Sequence, residues 1–107
     1  MAKIVMCVIP AEQEARLKQK YPTPPPNTDV VPVNVYDPSK AVESIKSQPQ
    51  APVVVIISNF FSEDVQKKTK ESIEAGASGI PVLVVPQGLD DDQAFKFIQD
   101  EKTKAGK

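Results

Sequence analysis

The chain has 107 residues and a mass of 11.7 kDa, room for one ordinary domain and too little for two. Hydrophobic residues at 40% and charged residues at 25% exclude wholesale disorder. Thirteen Lys and Arg against fourteen Asp and Glu leave a net charge of −1, which excludes a strongly basic nucleic-acid binder and a polybasic membrane-surface protein, and the lack of histidine removes the commonest general base and metal ligand together.

The first apolar run, residues 3–9, is strand-length. It is too short to span a membrane and no small-residue cleavage pattern follows it. With one cysteine, Cys7, and so no internal disulfide, a cytoplasmic protein is expected. Pro10 suits the first turn of a helix carrying the i,i+4 pairs Glu12/Arg16 and Glu14/Lys18, which Tyr21-Pro22 closes. Residues 21–29 are proline-rich and read as an extended connector. Pro22-Thr23-Pro24-Pro25 also satisfies a bare PxxP, the mark of a docking arm, but Lys20 sits too close to be its basic partner.

The second run, residues 30–36, alternates in polarity and contains Pro32, which lacks the ladder N–H, so it is expected at a sheet edge. Asp37 is a natural N-cap with Pro38 just inside it, and Ala41, Val42 and Ile45 form a buried stripe that ends at Gln48-Pro49. The third run is residues 53–58. Ser62 can cap a helix whose inner face takes Val65, Thr69, Ile73 and Gly76, with Gly76 and Gly79 available to end it. The fourth run is residues 80–86. Asp90 with Gln93 makes a capping box and Leu89 with Ala94 a hydrophobic staple, ahead of a helix that turns Ala94, Phe95 and Ile98 inward. Residues 1–102 form the expected single domain and 103–107 a frayed tail.

Strand-length apolar runs alternating with helix-length polar stretches predict a parallel sheet with crossover helices. Runs one, three and four are nearly continuous in Val, Ile and Leu, so both faces of those strands are expected to be buried. The expectation is a three-layer α/β domain, flavodoxin-like or Rossmann-like. Its four parallel strands lie in order 2-1-3-4, with helices on both faces.

Ligands in such sheets bind beyond the carboxyl ends of the strands. The first loop, Val8-Ile9-Pro10-Ala11, has no glycine for a phosphate cradle, and Pro10 removes a donor, so no nucleotide cofactor is expected. Cys7 at a strand end would suit a nucleophile. It lies two residues inside the run and has no CxxC partner, which suits a small buried hydrophobe. Asp37, Glu63, Asp64, Asp90, Asp91 and Asp92 gather near helix N-termini. Several carboxylates suit Mg²⁺ or Ca²⁺. Capping and dipole complementarity explain each acid separately, and three consecutive side chains on a helix diverge by about 100° each, so no metal site is expected. Phe60-Phe61 follows the third run. One of them buried and one covering the helix end is one arrangement; an exposed partner anchor is the other.

Ala41-Val42-Glu43-Ser44-Ile45-Lys46, the run 53–58, and Gly79-Ile80-Pro81-Val82-Leu83-Val84-Val85-Pro86 resemble the middle of a response-regulator receiver domain, and Lys3-Ile4-Val5-Met6-Cys7 resembles its opening strand. The family's functional positions are replaced. Val8 and Ile9 stand where a receiver has its acidic pair, Ser58 where it has the phosphoacceptor aspartate, and Pro86 where it has a hydroxyl residue. The fifth strand and its lysine are missing. The resemblance therefore implies a degenerate receiver that neither binds Mg²⁺ nor accepts phosphate on aspartate. The small stalk component of rotary ATPases is similar in size and strand–helix alternation.

The functional expectation is a non-catalytic interaction or regulatory module acting through protein–protein contacts, of which a small subunit of a larger assembly is one form. The alternative is a small enzyme or ligand binder using Cys7 or the acidic rim. A protein partner or a homodimer is expected, with no nucleic acid and no membrane. The contact residues expected are Phe60 and Phe61, and a second set at the fourth strand, Val82, Val84 and Phe97. There Val82-Leu83-Val84-Val85 is an uncharged edge between Pro81 and Pro86.

Overall fold

A computed structural model describes residues 3–20, 30–77 and 79–105. The connector expected at 21–29 lies outside the described residues. The strands are β1 (Lys3–Val8), β2 (Val30–Val35), β3 (Val54–Ile57) and β4 (Val82–Val84). The helices are α1 (Ala11–Lys20), α2 (Ala41–Ser47), α3 (Glu63–Gly76) and α4 (Asp91–Ala105), with a 3₁₀ turn, Pro38–Lys40, leading into α2. All strand pairs are parallel and the order is β2-β1-β3-β4.

Alternating side chains divide the core into two layers. Val5, Cys7, Val54 and Ile56 pack with Leu17 of α1 and with Ala94 and Ile98 of α4. Met6, Val8, Val55 and Ile57 pack on the other face with Ala41 and Ile45 of α2 and Ile73 of α3. Each fully buried Val or Ile contributes about 1.5–3 kcal/mol, so the two central strands hold the domain together.

The fourth run departs from its expected burial. Val82, Leu83 and Val84 are only half-buried, because β4 is an edge strand with β3 as its one neighbour. Val85, just beyond it, is fully buried. Pro32 stands in register with Val5 on the other edge strand, as its missing donor requires.

The caps are local and legible. Asp37 accepts from Ser39 N, Ser62 Oγ from Val65 N, and Asp90 and Gln93 exchange both bonds of a capping box. Pro10 sits one residue earlier than expected, as the position whose carbonyl accepts from Glu14 N. Gly76 is the last residue of α3, where an added Cβ would lie 2.8 Å from Val42 Cγ1 of α2; Gly79 and Gly88 take positive φ in the flanking turns. On α4, Phe95 and Phe97 sit on opposite shoulders of the Ala94/Ile98 stripe, about 80° to either side, and both are partly buried. The helix runs on through the expected tail segment to Ala105, with Thr103 Oγ1 donating to Gln99 O at 2.9 Å.

Candidate functional site: the carboxyl end between β1 and β3

In this strand order the chain leaves β1 for one face and β3 for the other, so a crevice opens between their carboxyl ends. The Gln13–Ser58 side-chain hydrogen bond lies across it, and further side-chain amides stand beside it at the ends of β3 and β4. Ser58, the first residue after β3, is 1% exposed. Its Oγ donates to Oε1 of Gln13 from α1 and accepts from Phe60 N at 3.1 Å. Gln66 comes from α3 on the opposite face and is also 1% exposed. Its Nε2 donates to Ser58 O at 2.9 Å and to Val85 O at 3.0 Å. Gln87 Nε2 donates to Gln66 Oε1 at 2.8 Å and to Phe61 O at 2.9 Å. Among the described residues, no buried side-chain nitrogen or oxygen lacks a partner. This matters because an unpaired buried polar group costs about 1–3 kcal/mol.

Sequence reasoning misses Gln13 and Gln66, and marks Ser58 only as the residue at a receiver's phosphoacceptor position. A signal is present in the spacing. Gln66, Thr69 and Ile73 share one helical face, and so do Gln13 and Leu17. Both glutamines occupy core positions, but their polarity assigns them to solvent in a hydrophobicity-based reading.

Phe60 and Phe61 divide the alternatives. Phe61 packs partly buried against the α2/α3 side of the core. Phe60 is 46% exposed, with Arg16 Cζ 5.1 Å from its ring centroid. Arg16 turns away from Glu12 to Asp91, with Nε–Oδ2 at 3.2 Å and Nη2–Oδ1 at 3.3 Å. Tyr36, at the end of β2, is exposed on the same carboxyl-end rim.

The remaining candidates are scattered. Cys7 is buried in the sheet's α1/α4 face. Asp37 caps its turn, and hydrogen bonds from the Ser39 side chain and backbone hold its carboxyl below the ordinary carboxylate value. Asp91 pairs with Arg16 and Asp92 with Lys20. Among the described residues, no three Asp, Glu, Cys or His side chains gather as a metal site. Val82 and Val84 face the α2/α3 core while Phe97 packs on the α1/α4 side, so they flank the β4 margin from opposite faces. Among the described residues no helix is long and apolar enough to cross a membrane.

The fold and this rim define the class: a small, all-parallel three-layer α/β domain compatible with the flavodoxin-like arrangement. Comparison with protein-family models, with curated proteins and with solved structures gives no match to the chain.

Proposed function

We propose that this domain is a protein-interaction module that docks through its carboxyl-end rim. The observation that carries the reading is Phe60, a large apolar ring left exposed on the loop that also closes the β1–β3 crevice. Exposed aromatics and arginines are the residue types that anchor interfaces, and here Arg16 lies over the ring. The crevice where this architecture takes small ligands is crossed by the buried Gln13–Ser58 hydrogen bond, which supports contact by surface rather than by pocket. Phe61, the next residue, ties the same loop to the α2/α3 side of the core.

The β4 margin is a second surface of the same module. Leu83 is in register with Ile56, and Val85 N donates to Ile57 O. By alternation, the Val82 and Val84 N–H groups point outward, where an added strand from a partner or a second copy would pair with them. Phe97 and the two valines flank that margin.

Photo-crosslinking tests the first surface. A benzophenone amino acid at position 60 is expected to give adducts that the same probe at Val53, exposed at the amino end of the sheet, does not give. The adduct protein, or the dimer, should then lose affinity for purified Phe60→Ala. Identical adducts from positions 60 and 53 would overturn the rim assignment.

A further inference from the structure

We infer that the loops 58–62 and 86–90 open and close as one unit, held together by side-chain amides. Each loop donates to the other's main chain. Asn59 Nδ2 reaches Pro86 O at 3.1 Å and Leu89 O at 2.9 Å. Gln87 Nε2 returns the bond to Phe61 O at 2.9 Å. Gln66, fixed on α3 between them, holds Ser58 O and Val85 O and accepts from Gln87. Among the described residues, no backbone–backbone hydrogen bond joins 59–62 to 86–90, so these amides are the whole polar connection.

The linkage makes opening cooperative. Lifting the Phe60 loop alone strips donors from Pro86 O and Leu89 O as well as from Phe61 O. Lifting the 86–90 loop alone breaks the same bonds. Once either loop has opened, those bonds are already lost and the other has fewer left to break, so opening of one makes opening of the other easier. A contact that reorders Phe60 is therefore felt at residues 86–90, and the reverse holds equally. The coupling stands whether or not Phe60 is an anchor.

Native-state hydrogen exchange by NMR tests it without any partner. Two amides report on the loops: Phe60 N–H, bonded to Ser58 Oγ, and Asp90 N–H, bonded to Gln93 Oε1. Ser39 N–H, bonded to Asp37 Oδ1, is the reference outside the bracket. Gln87→Ala should speed exchange at Phe60 by about five- to tenfold, and Asn59→Ala should do the same at Asp90, the size expected for one or two lost hydrogen bonds. Ser39 should not change. Acceleration confined to the substituted loop overturns the coupling, and so does equal acceleration at Ser39.

Discussion

Two parts of the same rim are held in opposite ways. At the end of β2, Asp37 Oδ1 accepts from Ser39 N at 3.0 Å and Ser39 Oγ at 2.8 Å, all within three residues of chain. At the ends of β3 and β4, the bonds by which Asn59, Gln66 and Gln87 link the β3 side to the β4 side join residues 19 to 30 positions apart. The first forms wherever those three residues meet as a turn. The second forms only after the sheet has set β3 beside β4, since loop closure over that length must be met by other contacts first. The rim thus has one self-sufficient end and one that borrows its order from the core.

The largest test of that difference is Gln66→Leu. It keeps the side chain's bulk but leaves Ser58 O and Val85 O without their amide donor. Urea unfolding should show a loss of about 2–3 kcal/mol. The Ser39 amide should keep its native chemical shift, because its cap does not draw on the bracket. A loss near zero would mean that the two carbonyls find other partners.

Gly76→Ala comes next and tests a close approach that crosses between elements. Alanine is the better helix former by about 1 kcal/mol. Here its Cβ would meet Val42 Cγ1 at 2.8 Å and Cγ2 at 3.4 Å. The expected net result is a loss of about 1 kcal/mol. In a Val42→Ala background the same substitution should become stabilising, and a double-mutant cycle reads the change of sign.

Arg16→Gln tests whether separation in sequence is itself strength. The Arg16–Asp91 pair spans 75 positions, yet both side chains are well exposed, at 49% and 38%. Thermal melts should register about 0.5 kcal/mol or less, fading in about 1 M salt. A loss as large as that of Gln66→Leu would contradict the view that burial sets the difference.

The smallest effect belongs to Asp37→Ala, and it depends on pH. The Ser39 hydroxyl first, and its backbone N–H second, lower the folded-state pKa of Asp37. A lowered folded pKa means that the stabilisation is complete above the ordinary carboxylate pKa, about 4, and is lost as pH falls through the folded value. The melting-temperature gap between the wild type and Asp37→Ala should be full at neutral pH and close under acid conditions. A gap that persists there would show that the carboxylate charge is not its source.

Much of the candidate site is half legible in the sequence. Phe60-Phe61 marks the right loop, but which ring is buried depends on where α2 and α3 meet the sheet, which no local pattern encodes. Gln13 and Gln66 occupy stripe positions and escape notice when hydrophobicity alone defines the stripe. Arg16 has an acid at i−4, so local spacing points to Glu12; the packing of α1 beside α4 offers Asp91 and the Phe60 ring instead.

What the sequence determined by itself is whatever acts over a few residues. Continuous Val and Ile runs marked β1 and β3 as buried on both faces, Pro32 placed β2 at an edge, and Asp37, Ser62 and Asp90 with Gln93 marked helix starts. Strand period, proline's missing donor and side-chain capping need no knowledge of the rest of the chain. Only the tertiary structure decided the amide bracket, the exposure of Phe60 and the partial burial of β4. Each of these depends on which surfaces the finished sheet brings together, because a buried polar group is satisfied by whatever lies beside it in space, however far away in sequence.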